Sequence, residues 1–145
     1  MTSWSIVDYF LRPKPAYYAI GRELRPYTVG ITRKHRKVYA DQRTAAHFTI
    51  TSQLDIWGAN STLDKKHATL EVTSFDLERP DWNDRWEISV ILAPNASTEL
   101  WSGVVPGQPV RTRENHVPKA IVVSARLLDP DGVVLGRCSN WWVQR

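Results

Sequence analysis

The sequence predicts a mainly β fold: an antiparallel β-sandwich of about seven strands preceded by one N-terminal α-helix. Two observations carry this. From residue 27 onward, apolar and polar residues alternate with a period of two in short blocks, separated at regular intervals by Gly, Pro, Asn and Asp. Before that, Tyr17, Ile20 and Leu24 recur at helical spacing until Pro26 stops the run.

The opening is nearly all apolar: Trp4, Ile6, Val7, Tyr9, Phe10 and Leu11. Pro13 or Pro15 suits the first turn of the helix that follows, where a missing N–H costs little. An isolated helix this short is marginal in water and needs a body to pack on. Only short strands follow it, so the helix is expected to belong to a neighbour. The expected division is residues 1–26, then a sandwich over 27–145.

Residues 27–31 read as the first strand, resumed at 38–40. The basic run Arg33-Lys34-His35-Arg36-Lys37 between them reads as a solvated turn. The clearest strand is 46–57, where Ala46, Phe48, Ile50, Leu54 and Ile56 share one face. Turn residues Gly58-Ala59-Asn60-Ser61 are expected to end it. In the next strand, 66–77, the apolar parity shifts from Ala68, Leu70 and Val72 to Phe75 and Leu77, which suggests a bulge near Thr73 or Ser74. Residues 78–85, with Pro80, read as a loop. Trp86, Ile88, Val90 and Leu92 mark another one-sided strand, and 97–105 a further one, broken by Pro106-Gly107-Gln108-Pro109. The last two strands, 120–128 and 133–141, flank Asp129-Pro130-Asp131-Gly132, a strong hairpin turn. The Cys…Trp…Cys spacing of antibody domains is missing, so "immunoglobulin-like" describes the architecture only.

Composition excludes several functions. A hydrophobic fraction of 42% and a charged fraction of 23% fit a globular domain, and no run is long enough to span a membrane as a helix. No signal peptide is visible; an intracellular home is the expectation, with secretion left open for a longer parent protein. The charge is uneven: residues 1–43 hold nine Lys/Arg against three Asp/Glu, the remainder ten against twelve. A basic five-mer can bind nucleic acid, but no stacking platform or nucleic-acid motif accompanies it, so no nucleic-acid or membrane partner is expected. The lone Cys138 cannot form an internal disulfide. Asn60-Ser61-Thr62 and Asn95-Ala96-Ser97 fit the glycosylation pattern.

Chemistry-bearing constellations are sparse. His35, His47, His67 and His116 lack the close spacing of zinc ligands, and Asp129-Pro130-Asp131-Gly132 lacks the downstream Glu of a calcium loop. There is no Gly-rich phosphate loop and no nucleophile elbow. No metal, cofactor or catalytic residue is expected in this chain.

Several stretches resemble a known family. Trp4-Ser5-Ile6-Val7-Asp8-Tyr9 and Arg12-Pro13-Lys14-Pro15-Ala16-Tyr17-Tyr18-Ala19-Ile20 resemble the last strand, loop and helix of the catalytic (β/α)8 barrel of fungal β-mannosidases, in glycoside hydrolase family 2. The likeness continues through Ile56-Trp57-Gly58-Ala59-Asn60-Ser61, Leu70-Glu71-Val72-Thr73-Ser74-Phe75-Asp76-Leu77, Leu92-Ala93-Pro94-Asn95-Ala96-Ser97-Thr98, Pro106-Gly107-Gln108-Pro109-Val110 and Ser139-Asn140-Trp141. Beyond Trp141 the family would continue into a closing segment, which is not seen here. The resemblance implies that residues 1–26 are the barrel's last strand-loop-helix and that the rest is a small sandwich buttressing it. It implies that both catalytic Glu residues lie on barrel strands ahead of residue 1, since a retaining glycosidase needs two carboxyl groups about 5 Å apart. The chain alone is then expected to be inactive. Its partners would be the barrel and N-terminal domains of a parent enzyme that removes terminal non-reducing β-D-mannose from manno-oligosaccharides. Trp4 would lie on the barrel face where the active site is built and could touch substrate there. An alternative is a free-standing carbohydrate-binding module with Trp57, Trp82 or Trp101 as the sugar platform. Against it, Trp86 shares core parity, and Trp57 with Trp141 and Trp142 suits an interface.

Overall fold

The computed structural model describes residues 5–40, 47–115 and 117–141, the last by its backbone alone. Among these residues a helix, α1 (Pro15–Glu23), is followed by eight strands. These are β1 (Tyr27–Tyr39), β2 (Phe48–Asn60), β3 (Lys66–Asp76), β4 (Arg79–Leu92), β5 (Ala96–Val104), β6 (Arg111–Thr112), β7 (Ile121–Leu128) and β8 (Val134–Trp141). They form two sheets, one ordered β1-β2-β5 with β6 also on β2, the other β4-β3-β7-β8. Every pairing is antiparallel, giving an immunoglobulin-like sandwich.

Period-two alternation builds the core. Leu54 and Ile56 of β2, Ala68, Leu70 and Val72 of β3, and Ile121, Val123, Ala125 and Leu127 of β7 all face the space between the sheets and are buried there. Trp86 of β4 and Trp101 of β5 meet across the two sheets with ring centroids 5.5 Å apart. At the opposite side of the sandwich β8 runs against β1, so closely that a Cβ on Gly136 would lie 3.2 Å from Thr28 Cα. The hairpin at 129–132 forms as expected, with Gly132 at φ +81° and the Asp129 carboxylate accepting the N–H groups of Asp131 and Val133.

Four local expectations are corrected. The basic run is no turn; it lies inside β1, which pairs with β2 without a break from Tyr27 to Tyr39. Each of its side chains at 33, 34, 35 and 37 finds a partner. The Arg33 guanidinium donates to the Ile121 carbonyl at 3.0 Å, Lys34 pairs with Asp55, His35 meets Ser52, and Lys37 lies over the Phe48 ring. Gly58-Ala59-Asn60 does not end β2, because Gly58 is an inward position where a Cβ would lie 2.6 Å from Leu92. Asn60 is buried instead; its amide donates to the Asp64 carbonyl and its Oδ1 accepts from Thr62, closing the β2–β3 turn. That glycosylation pattern is therefore inaccessible in the folded domain. Nor does the parity of β3 shift: Ser74 and Asp76 keep the inward positions, Phe75 and Leu77 are exposed, and the register irregularity falls between Phe75 and Asp76. Finally, residues 79–85 are strand rather than loop, since β4 starts at Arg79 directly after a tight turn.

Candidate functional site

Among the described residues three carboxylates are buried, and each is held by cations or N–H donors. Glu71 on β3, 3% exposed, is clamped between Arg85 of β4 and Arg126 of β7. Asp76 accepts the backbone N–H of Glu78, the largest influence holding its carboxyl below the usual range, and the Arg79 guanidinium at 3.0 Å. Asp55 accepts from the Lys34 ammonium at 2.9 Å, the Ser102 hydroxyl at 2.7 Å and the Gln53 amide at 3.2 Å, and its pKa is likewise lowered, chiefly by Lys34. A glycosidic general acid needs a carboxyl group whose pKa is raised. Lowered pKa values at Asp55 and Asp76 serve the opposite end: these groups stay ionised and brace the sheets. Among the described residues no group of three or more His, Cys, Asp or Glu could hold a metal. His67 pairs with Ile91 in one sheet while His47 directly precedes β2 of the other, so these two histidines do not meet.

Two further clusters are polar. Inside β1, His35 Nδ1 lies 3.0 Å from Ser52 Oγ and 3.1 Å from the Arg111 guanidinium. Desolvation, with the charges of Arg111 and Arg33, lowers the His35 pKa. Where α1 approaches the β1–β8 seam, an open groove of about 400 Å³ is lined by Arg22, Glu23, Arg25 and Arg137 among others.

The N-terminal segment is the most unusual surface. Asp8 accepts the backbone N–H groups of Phe10 and Arg12 at 2.9 Å each, and the Arg12 side chain closes an ion pair on it. With the bridge between Val7 and Pro13, these bonds fix a tight loop whose tip presents Tyr9, Phe10 and Leu11, 93%, 72% and 80% exposed. The helix begins with Pro15 at its first position, as expected, and buries none of its residues; Tyr17, Tyr18, Ile20 and Leu24 stay exposed. An apolar surface of this extent on an ordered scaffold is characteristic of a contact face.

Of the aromatic residues singled out by sequence, Trp4 and Trp142 lie outside the described residues. Trp82 and Trp101 are packed against the core, with Trp82 under the 106–108 turn, where a Cβ on Gly107 would lie 2.3 Å from its ring. Trp57 points the other way, to the outer face of the first sheet, and is 38% exposed. The three rings therefore share no surface. Sequence reading missed the Asp55 and Glu71 clusters. Their only signal is a carboxylate on polar strand parity with basic residues elsewhere in the chain.

The family model of the Mannosidase Ig/CBM-like domain matches residues 52–144, well over half of the chain. The chain belongs to this family. Similar proteins include a "Beta-mannosidase B" from Thermothelomyces thermophilus, 34% identical over 97% of this chain and 16% of that relative. Others are from Aspergillus flavus, 36% identical over 96% of this chain and 15% of the relative, and from Aspergillus oryzae, 35% identical with the same coverage. The chain thus spans about one sixth of the length of the curated relatives it matches. In this Mannosidase Ig/CBM-like domain, β1 lies ahead of the matched residues, yet it pairs with β2 along its whole length and closes the sandwich against β8.

Proposed function

We propose that this chain is the non-catalytic immunoglobulin-like part of a family 2 β-mannosidase and serves as scaffold for the catalytic barrel. Residues 1–26 are then the barrel's last strand-loop-helix, and 27–145 the sandwich that braces it. The parent would hydrolyse terminal non-reducing β-D-mannose from manno-oligosaccharides with retention, using two Glu residues supplied by the barrel. Trp4 would border that active site.

One observation carries this reading: a segment fixed by Asp8 and Pro15 holds Tyr9, Phe10, Leu11, Tyr17, Tyr18 and Leu24 exposed, with none of the described residues of the sandwich burying them. Burying one such side chain is worth roughly 1.5–3 kcal/mol, so leaving six uncovered gives up a large share of the stability available to a domain of this size. Docking of this segment into the barrel and the N-terminal domains would recover it. The cation-clamped carboxylates support a structural rather than a catalytic role for the chain. The test is release of p-nitrophenol from a β-mannoside by the purified chain. No turnover above background is expected; measurable turnover abolished by a carboxylate substitution would overturn the scaffold role.

A further inference from the structure

The outer face of the first sheet carries a second surface, separate from the N-terminal segment. The strand register places Gly30, Trp57 and Glu99 side by side across β1, β2 and β5, next to Thr32, Asp55 and Ser102, and then Lys34, Gln53 and Val104. Gly30 has no side chain, and a Cβ there would meet nothing within 4 Å, so one side of the Trp57 indole borders open space. An aromatic ring on an otherwise polar strand face gains nothing from the core. Its neighbours leave 38% of it exposed.

The groups around it are fixed, and their remaining hydrogen-bonding capacity can be worked out. Ser102 donates its hydroxyl to Asp55 and accepts from the Gln53 amide at 3.1 Å, while Gln53 also donates to Asp55. The Gln53 NH₂ is thereby used, and its carbonyl oxygen is left as an acceptor without a partner among the described residues. Lys34 spends one of three N–H groups on Asp55. The Trp57 indole N–H and the exposed Glu99 carboxylate likewise have no partner among the described residues. Asp55 is only 5% exposed although it faces outward, which shows how tightly the row is packed around it.

We infer that this face is a carbohydrate subsite, with the Trp57 ring stacking on the C–H face of one pyranose, Glu99 bonding hydroxyls beside it, and Lys34 and Gln53 bonding those of a neighbouring sugar unit. A sugar requires this mixture: one apolar face and a rim of groups that both donate and accept. Gln53 lies four residues from Trp57, about 13 Å along the strand, which is longer than one pyranose ring, so the occupant is an oligosaccharide. An acidic polymer is disfavoured by Glu99 beside the ring, and a basic one by Lys34. Choosing a β-linked manno-oligosaccharide as that occupant rests on the function proposed above; the geometry of the face does not.

The experiment is titration of the purified chain with β-1,4-mannotriose, read by tryptophan fluorescence and by calorimetry, with cellotriose alongside. A saturable change is expected, weakened at least about tenfold by Trp57→Ala, the loss of one aromatic contact, and restored in part by Trp57→Tyr. Unchanged thermal unfolding of Trp57→Ala shows that the loss is not one of folding. A flat trace up to about 10 mM, tenfold above a millimolar Kd, overturns the subsite, as does binding indifferent to Trp57→Ala. So does a concentration-dependent dimer of the chain that Trp57→Ala dissolves while sugar binding stays absent, since the face is then a protein contact. Saturation by cellotriose alone keeps the subsite and removes mannan as its ligand. The scaffold reading depends on residues 6–24, none of which lies on this face, so the two can fail separately.

Discussion

Gly107→Ala tests how far the packing of Trp82 holds the sandwich together. Gly107 sits at φ +74°, a left-handed conformation that costs an L-residue roughly 1–2 kcal/mol. A Cβ there would also lie 2.3, 2.8 and 2.9 Å from three atoms of the Trp82 ring. Ordinary contact needs about 3.5 Å or more, so the ring must retreat by about 1 Å and surrender part of its contact with the core, a further cost of about 1–2 kcal/mol. The sum, about 2–4 kcal/mol, lowers Tm by roughly 5–12 °C for a domain of this length. Gly132→Ala supplies the control, because Gly132 has φ +81° but nothing within 4 Å of a Cβ. It carries the backbone penalty alone, about 1–2 kcal/mol. Urea unfolding of both variants, and of Gly107→Ala in a Trp82→Ala background, separates the two contributions. In that background Gly107→Ala should cost no more than Gly132→Ala. If Gly107→Ala is no worse than Gly132→Ala with Trp82 present, the ring is not locked as described.

Other outcomes follow from the same structure. Leu70→Ala, at a fully buried central position of β3, should destabilise the chain by about 2–5 kcal/mol in denaturant unfolding. Because the folded pKa of His35 lies below 6.5, the unfolded chain binds more protons there, so this group's contribution is complete above pH 6.5 and declines as pH falls through the folded value. Stability measured from pH 7.5 down to 5 should therefore decrease, and His35→Gln should flatten the slope. Glu71→Gln removes the charge shared by Arg85 and Arg126; with both guanidinia about half exposed, the expected loss is about 1–2 kcal/mol rather than the larger figure for a fully buried pair. Replacing Tyr17, Ile20 and Leu24 together by Ser should leave the unfolding of the sandwich unchanged while reducing self-association in light scattering, since none of the three is buried.

Much of the architecture was legible in the residues, and the exceptions share a cause. The strands around Leu54, Leu70 and Ile88 and the hairpin at Asp129–Gly132 announce themselves because the signal is local: period two, or a turn residue at a fixed offset. The basic run in β1 does not, because what makes it a strand is remote. Lys34 needs Asp55, 21 residues on, and Arg33 needs the carbonyl of Ile121, 88 residues on. Phe75 misled for a related reason. Its apolar side chain suggested an inward position, but Asp76 takes the inward place to close the turn through Glu78 and Arg79, leaving Phe75 outside. The N-terminal segment was readable as an unpartnered apolar helix, whereas the Asp8 bonds that fix the Tyr9-Phe10-Leu11 tip were not. The Trp57 face was visible only as one ring on polar parity; the row of Lys34, Gln53 and Ser102 around it depends on the pairing of three strands.

Reading the genomic coding sequence immediately upstream of Met1 tests the central claim most directly. A frame continuing into a (β/α)8 barrel, with two glutamates at the ends of its strands, is the expected result. A stop codon just ahead of Met1, together with a chain that stays soluble and monomeric with Tyr9, Phe10 and Leu11 in water, would contradict it.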